Sequence, residues 1–193
     1  MKNSILLSLH KLPQTVFTLQ EISLLFPHIP YINLKKRMSY STTSGAIQKL
    51  RRGVYAKEPY NILELANKLY TPSYISLETV LQKAGVTFQY YERTFAVSYL
   101  SRTVEVDGHT FEYHKIRDDI LTNNQGVNTE GLVNIASPER AFLDTIFLHQ
   151  DYPFDNLSTL QWDAVLSLQQ IYKTNALIKR VNTYYQNYKE GHA

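Results

Sequence analysis

The chain has 193 residues, of which 44% are hydrophobic and 19% are charged, a composition that suits one large or two small globular domains. The absence of cysteine excludes disulfide bridges, cysteine zinc sites and thiol nucleophiles. Residues 1–60 hold nine Lys or Arg and two acidic residues, whereas residues 61–193 hold eleven and fifteen, so a basic block that suits a polyanionic partner precedes a mildly acidic block.

No pattern in the sequence predicts a membrane segment. The apolar run from Ile5 to Leu9 is shorter than the core of a secretory signal, which needs about 7–15 residues. No stretch approaches the roughly 18–20 apolar residues of a membrane-spanning helix. We therefore expect a cytoplasmic protein that has no membrane partner.

Two short helices and an extended segment are predicted at the start of the chain. An apolar helix around Leu9 comes first, and an extended segment follows at Val16. Thr18 and Glu21 have the spacing of a capping box, in which each residue bonds the backbone N–H of the other. This pair predicts the start of a second helix, which should end before Pro27.

A third helix is predicted from Tyr31 to Thr43. Leu34 and Met38 are four residues apart and would face the core, while the basic run Lys35–Arg37 would point elsewhere. Gly45 is well placed to end this helix, because glycine readily adopts the left-handed conformation that closes helices.

A two-stranded hairpin with a basic tip is predicted next. Residues 46–50 and 54–56 read as short strands, and Arg51-Arg52-Gly53 reads as the turn between them. The order of helix, helix, turn, helix and hairpin is that of a winged helix-turn-helix. We therefore predict an α+β protein with such a DNA-binding domain in residues 1–58, ending at a seam near Pro59.

Duplex DNA is the partner predicted for this domain. The third helix would enter the major groove, and the hairpin would contact phosphates or the minor groove. Basic side chains can neutralise phosphates or read guanine edges, and hydroxyl groups can donate hydrogen bonds to either. The predicted DNA-contacting residues are Lys35, Lys36, Arg37, Tyr40, Ser41, Thr42, Lys49, Arg51 and Arg52.

A mixed α/β domain is predicted in residues 61–193. Helices are expected at residues 62–69, from Ser76 as a cap to Gly85, and from Ser137 with Pro138 at the first position. The predicted strands are residues 86–91, 94–99, 103–106, 110–116 and 132–135, with a hairpin turn at Asp107-Gly108. Two helices are expected between Leu157 and Tyr188.

Three strings carry a resemblance to a known family. They are Arg52-Gly53-Val54-Tyr55-Ala56, Pro72-Ser73-Tyr74-Ile75-Ser76-Leu77 and Ala136-Ser137-Pro138-Glu139-Arg140-Ala141. In order and spacing they resemble AbiEi-type antitoxins, the DNA-binding half of a type IV toxin–antitoxin pair of abortive infection. The resemblance extends to about residue 150, and the tail after Asp151 does not share it.

The resemblance implies a role that composition and periodicity do not show. It implies a repressor that acts on its own operator and an antitoxin that counteracts a neighbouring nucleotidyltransferase-like toxin, with or without tight contact. In this interpretation the protein is not an enzyme and needs no cofactor.

A metal-dependent nuclease is one alternative for the second domain. Asp107 and Glu112 would hold the metal, and Lys115 would steady the developing charge. Glu112 and Lys115 are three residues apart in a predicted strand, however, and would point to opposite faces. Asp107 also has a conformational role in its Asp-Gly turn, so no catalytic residue is predicted.

A metal site at the histidines is the related alternative. His109 and His114, with Asp118 and Asp119, are residue types that bind transition metals. The two histidines are five residues apart in a strand and would also face opposite sides. We therefore predict no metal ligand.

The tyrosines of the tail leave a third class of function open. Tyr172, Tyr184, Tyr185 and Tyr188 would either pack on a partner or a second copy, or close the core of their own domain. In the first case the protein would be an interaction module on a winged-helix scaffold. Self-association would also favour DNA binding. In a dimer, binding of one winged helix to half of an inverted repeat raises the effective concentration of the second winged helix at the other half.

Overall fold

The computed structural model describes residues 5–190 and shows an α+β protein with two β-sheets. This confirms the α+β class that was predicted. None of the helices formed by these residues has the length and apolar character needed to cross a membrane.

The N-terminal part of the chain, residues 5–58, contains three helices and a three-stranded antiparallel sheet. Its elements are α1 (Ile5–Lys11), β1 (Val16–Thr18), α2 (Leu19–Leu25), α3 (Tyr31–Thr43), β2 (Gln48–Arg51) and β3 (Val54–Ala56). The strand order is β1-β3-β2, so β3 is central and pairs with both neighbours. The predicted bounds of α3 are confirmed.

The C-terminal part, residues 61–190, is built on a six-stranded mixed sheet. Its first elements are α4 (Ile62–Leu69), β4 (Ser73–Ile75), α5 (Glu78–Lys83), β5 (Arg93–Ser98), β6 (Arg102–Val106) and β7 (His109–Lys115). Then follow α6 (Asp118–Leu121), β8 (Val127–Glu130), β9 (Val133–Ala136), α7 (Pro138–Leu148), α8 (Trp162–Leu168), a 3-10 turn (Gln169–Tyr172) and α9 (Asn175–Glu190). The strand order is β6-β7-β5-β4-β9-β8, with parallel pairs β5–β7 and β4–β9.

Local signals in the sequence position α2 and α3. The Thr18 hydroxyl accepts a hydrogen bond from the Glu21 N–H at 3.1 Å, and a Glu21 carboxylate oxygen accepts one from the Thr18 N–H at 2.8 Å. Both bonds of the predicted capping box are therefore present. Gly45 follows α3 with φ of +71°, the left-handed conformation expected at its end.

The small sheet separates two hydrophobic cores. Phe17 and Tyr55, which are paired across β1 and β3, belong to the core formed with α1, α2 and α3. Their neighbours Val16, Val54 and Ala56 point to the other face and belong to the core of the C-terminal part. The two parts are therefore packed against each other through the small sheet.

Helix α4 lies between the two sheets. It contacts β1 of the small sheet and β4, β5 and β9 of the large one. Its Glu64, Leu65, Ala66 and Asn67 are all buried. The Glu64 carboxylate accepts hydrogen bonds from the N–H of Thr15 at 2.9 Å and from its hydroxyl at 2.6 Å, which ties α4 to the start of β1.

The large sheet carries helices on both faces. On one face, the Tyr113 hydroxyl of β7 donates to the Ala66 carbonyl of α4 at 2.7 Å. On the other face, α5 and α7 pack against the strands, and the ring of His114 in β7 lies 5.8 Å from that of His149 at the end of α7. Helices α8 and α9 then pack on α7.

A buried charged network connects α7 to the sheet. Asp144 accepts hydrogen bonds from the hydroxyls of Tyr172 at 2.6 Å, Ser76 at 2.8 Å and Tyr74 at 3.0 Å. The Arg140 guanidinium lies 3.4 Å from Asp144, and both side chains are fully buried. Burial and the nearby carboxylate raise the pKa of Tyr74 and of Tyr172, so both hydroxyls keep the protons that they donate.

The same guanidinium also holds the loop that precedes β8. Arg140 donates to the carbonyl oxygens of Ile120 and Gln125, each at 2.8 Å. It also donates to the Tyr74 hydroxyl at 3.1 Å. Residues 72–77 and 136–141, two of the strings that carry the family resemblance, are therefore joined in one buried network.

Several local predictions for the C-terminal part are wrong. Ser76 does not cap α5, because its hydroxyl bonds Asp144 and the cap position is taken by Leu77 with φ of +56°. Residues 86–91 form a loop and not a strand, and the Phe88 N–H donates to the Asp155 carboxylate at 2.7 Å. The sequence analysis also missed the short elements β4, α6 and β8.

The tail tyrosines pack on the protein itself. Tyr172 is fully buried, and the hydroxyl of Tyr184 donates to the Tyr152 carbonyl at 2.9 Å. The ring of Trp162 lies 4.9 Å from that of Tyr185 and 5.4 Å from that of Tyr188. Within the described residues, these side chains close the core of the C-terminal part.

Candidate nucleic-acid interface

The buried and exposed faces of α3 are cleanly separated. Leu34, Met38 and Ser41 are buried, and at about 100° per residue they fall within roughly 60° of the helix circumference. The opposite face carries Ile32, Lys36, Tyr40 and Thr43, all of which are exposed. A helix with one buried face and one exposed face can be held rigidly by the core while its exposed side chains contact a partner.

The three consecutive basic residues of α3 do not share one face. Lys36 lies at the centre of the exposed face, about 200° from Leu34. Lys35 and Arg37 lie about 100° to either side of it, and both are exposed. The arrangement suits one side chain that enters a groove between two side chains that flank it.

The three hydroxyl-bearing candidates, Tyr40, Ser41 and Thr42, differ in how far they are exposed. Tyr40 is 76% exposed and lies beside Lys36, one helical turn on. Ser41 is buried, and its hydroxyl donates to the Arg37 carbonyl at 2.9 Å, so it does not belong to the exposed face. Thr42 is partly buried at the side of α3, and its hydroxyl donates to the Ser39 carbonyl at 2.7 Å.

The β2–β3 hairpin carries three further basic candidates. Lys49 is exposed in β2, and Arg52 is exposed at the tip, where Gly53 turns the chain with φ of +79°. The predicted turn is one residue too long, because Arg51 is the last residue of β2. Arg52 is therefore the basic residue that the turn itself presents.

Arg51 faces the C-terminal part of the chain. Its guanidinium carbon lies 5.7 Å from the centre of the Tyr70 ring, and Nη1 donates to the Tyr70 hydroxyl at 3.4 Å. Tyr70 in turn packs edge-on against Tyr113, with ring centres 4.8 Å apart. Arg51 thus fixes the hairpin to the large sheet, a role that the sequence analysis did not foresee.

A second anchor lies at the other end of β2. The Gln48 amide donates to both carboxylate oxygens of Asp107 at 3.2 Å, and the Tyr60 hydroxyl donates to Asp107 at 2.6 Å. Asp107 occupies the predicted turn between β6 and β7 with φ of +53°. Neither anchor has a sequence signal, since the partners are 19 and 59 residues apart.

Within the described residues, the exposed basic side chains of α3 and the β2–β3 hairpin form no ion pairs. None of the ion pairs formed within residues 5–190 includes Lys35, Lys36, Arg37, Lys49 or Arg52. In the C-terminal part most cations are paired. Within the described chain these pairs are Lys68 with Glu21, Lys83 with Glu130, Arg93 with Glu112, Arg117 and Lys173 with Asp119, and Arg140 with Asp144.

The residues of the nuclease and metal alternatives do not form a cluster. Glu112 bonds Arg93 at 2.7 Å and His114 at 3.0 Å on one face of β7, whereas Lys115 is on the other. Asp119 is bonded to Arg117 at 2.8 Å. Across residues 5–190, no three His, Asp or Glu side chains are grouped so that they could hold a metal ion.

The comparisons with known proteins give no assignment for this surface. No family model matches the sequence, and no curated protein is significantly similar to it.

Proposed function

We propose that residues 1–58 form a winged helix-turn-helix that binds duplex DNA. The observation that carries the proposal is the set of five exposed cations on α3 and the β2–β3 hairpin that form no ion pair within residues 5–190. Exposed cations that lack a counter-charge raise the local potential and attract a polyanion. A helix fits the major groove, and a hairpin beside it can follow the phosphate backbone.

The positions on α3 support different roles for its side chains. Lys36 would enter the groove, where a lysine can bond the acceptor edge of guanine. Ile32 and Tyr40, on the same exposed face, offer apolar surface for thymine methyl groups. Lys35 and Arg37 on the flanks would contact phosphates on the two walls of the groove.

The hairpin would act as the wing. Arg52 at the tip and Lys49 in β2 would contact phosphates or the minor groove. Arg51 would act indirectly, because its guanidinium holds the wing against Tyr70. We therefore do not retain Arg51 and Ser41 among the proposed DNA-contacting residues, which are Lys35, Lys36, Arg37, Tyr40, Thr42, Lys49 and Arg52.

Binding to the DNA upstream of the protein's own gene tests the proposal. Fluorescence anisotropy at several salt concentrations should give tight binding that weakens with salt, with a slope of log K against log salt of about −3.6 for the four phosphate contacts of Lys35, Arg37, Lys49 and Arg52 at about 0.9 each. A scrambled duplex of equal length should bind more weakly with salt dependence of similar sign. Absence of binding to both duplexes would overturn the proposal.

We further propose that the protein is the autoregulatory antitoxin of a type IV toxin–antitoxin pair, acting in the cytoplasm. This step rests on the resemblance of three sequence strings and not on geometry. Expression of the neighbouring gene alone should arrest growth, and coexpression of this protein should restore it. Harmless expression of the neighbour would remove the antitoxin role and leave DNA binding untouched.

A second candidate function is favoured by the apolar side chains of α3. Tyr31 and Ile32 are 56% and 59% exposed at the start of the helix. Such residues are also common in protein interfaces, so the scaffold would then serve as an interaction module. That function predicts no salt-dependent DNA binding, and the same anisotropy titration separates the two.

A further inference from the structure

We infer that the DNA-contacting surface continues from the wing onto the large sheet, through a patch formed by Arg102 of β6 and Lys115 of β7, and that this patch binds backbone phosphates. We call these two residues the sheet patch. The inference rests on the proposed function, since it extends the same DNA duplex beyond the wing tip. Both side chains are exposed, and neither takes part in an ion pair within the described chain.

The two members of the sheet patch lie on the wing-facing side of the sheet. Arg102 is directly opposite Tyr113 in the antiparallel pair of β6 and β7, and Lys115 is two residues beyond Tyr113 in β7. Residues opposite one another, and residues two apart in a strand, point to the same face. That face is the one from which Tyr113 contacts Tyr70 and Ala66.

The two anchors of the wing give its direction along the sheet. At the start of β2, Gln48 bonds Asp107 in the turn that begins β7. At the end of β2, Arg51 packs on Tyr70, which packs on Tyr113 near the end of β7. Strand β2 therefore runs beside β7 from its first residues towards its last, and Arg52 continues in the direction of the sheet patch.

In strands β6 and β7, the basic residues of the sheet patch and the acidic residues lie on opposite faces of the sheet. The acidic residues Glu105 of β6 and Glu112 of β7 alternate with the sheet patch along their strands and so point to the opposite face. Glu112 is bonded there to Arg93 at 2.7 Å. Asp107 at the far end of the hairpin is already held by Gln48 and Tyr60.

A polyanion bound to Arg52 would thus lie close to two more cations, Arg102 and Lys115, at the open end of the β6–β7 hairpin. Duplex DNA presents a phosphate about every 3.4 Å along each strand, so a backbone that passes the wing tip has further phosphates within reach of adjacent strands. The contacts carry no base information and would add affinity for any sequence. The C-terminal part would in this way contribute directly to DNA binding.

The salt dependence of binding tests this inference. In the full-length protein, the pair Arg102→Gln and Lys115→Gln should reduce the magnitude of the slope of log K against log salt by about 1.8 units, on both the upstream and the scrambled duplex. The charge-preserving pair Arg102→Lys and Lys115→Arg should keep the wild-type slope. The matched control, Lys179→Gln with Lys189→Gln on α9, removes two exposed charges that form no ion pair within residues 5–190 and that lie on the other side of the sheet, and it should change the slope little.

The outcomes distinguish this inference from the proposed function. A wild-type slope in the Gln pair, or an equal loss in the control pair, would overturn the sheet patch while DNA binding by α3 and the wing stands. Loss of slope in the charge-preserving pair would also overturn it, because the effect would then come from structure and not from charge. A wild-type protein that binds neither duplex would overturn both, and circular dichroism of each variant verifies that it is folded.

Discussion

Lys36 occupies the centre of the exposed face of α3, whereas Lys35 and Arg37 occupy its flanks. We expect Lys36→Ala to change the order of preference among operator variants, with about 1–3 kcal/mol lost at a base that Lys36 reads. Lys35→Ala should instead weaken binding to all duplexes alike. Competition titrations with single-base operator variants measure the difference, and a uniform loss for Lys36→Ala would reduce this residue to a phosphate contact.

The buried pair of Arg140 and Asp144 makes a second prediction for single residues. Asp144→Asn keeps the shape of the side chain but leaves the Arg140 guanidinium buried without its counter-charge, which should cost about 3–5 kcal/mol of unfolding free energy. Asp163→Asn, at an exposed carboxylate of α8, should cost less than about 0.5 kcal/mol. Urea unfolding measures both variants, and equal small losses would contradict the assigned role.

Side-chain roles could be predicted from sequence only where the partner is close in the chain. Thr18 and Glu21 are three residues apart, and their reciprocal capping was predicted correctly. Ser76 has the residue type of a cap, but its partner Asp144 is 68 positions away, and no local rule indicates that bond. Arg51 was read as a free cation for the same reason, since its partner Tyr70 belongs to another element.

At the scale of elements, the start of α2 is connected to α4 through Glu21. Burial opposes ionisation of Glu21, but the ion pair with Lys68 and the bonds from Thr18 prevail and lower its pKa. A lowered pKa means that the unfolded chain binds more protons, so this stabilisation is present above the ordinary glutamate pKa of about 4.3 and is lost as pH falls through the folded value.

Glu21→Gln separates the charge of this residue from its capping geometry. Glutamine can keep the capping box, so at pH 7 we expect a loss of about 0.5 kcal/mol from the partly exposed ion pair alone. Thr18→Ala removes the cap itself and should cost about 1 kcal/mol. In urea unfolding, the difference between Glu21→Gln and wild type should shrink as pH falls below the ordinary glutamate pKa of about 4.3, and a difference that does not change with pH would contradict the lowered pKa.

Elements with strong local signals were predicted well, and short buried ones were not. The Asp107-Gly108 turn was found because it needs two residues with positive φ, which this pair adopts readily. Strand β4 has three residues, all buried, and its hydrogen bonds come from β5 and β9 far away in sequence. Residues 86–91 have the composition of a strand, but the Val86 carbonyl accepts from Asp155 and Asn156 and leaves the segment outside the sheet.

At the scale of the whole molecule, the two parts of the chain share α4 and one face of the small sheet. Leu65 of α4 is fully buried in the core that also contains Val16 of β1. We expect Leu65→Ala to cost about 2–5 kcal/mol and to lower the stability of both parts together. The fluorescence of Trp162, the single tryptophan, reports on the C-terminal part, and the DNA binding that we propose would report on α3 and the hairpin.

Both signals should be lost at the same urea concentration in wild type, and both should shift equally in Leu65→Ala. The exposed substitution Lys179→Ala serves as the control and should leave both midpoints in place. Separate midpoints for fluorescence and binding would contradict this prediction and would favour two independently folding domains.

How the N-terminal and C-terminal parts pack against each other could not be predicted from the sequence. The charge difference between residues 1–60 and the remainder can be counted directly from the composition, and it is the sequence signal that points to α3 and the hairpin. The parallel pairing of β5 with β7, and the docking of β2 on Asp107 and Tyr70, depend on contacts between distant segments. Periodicity describes which face of an element is apolar but not which other element covers it.

The position of α4 between the two sheets bears on how such a protein would be turned over in a cell. A protease that cuts the large sheet would also withdraw the support of α4 from the small sheet, and Val16, Val54 and Ala56 would lose their cover. We expect that no DNA-binding fragment would survive such a cut. In the proposed function, the occupancy of the operator would then follow the concentration of intact chains, and degradation would relieve the proposed repression in a single step.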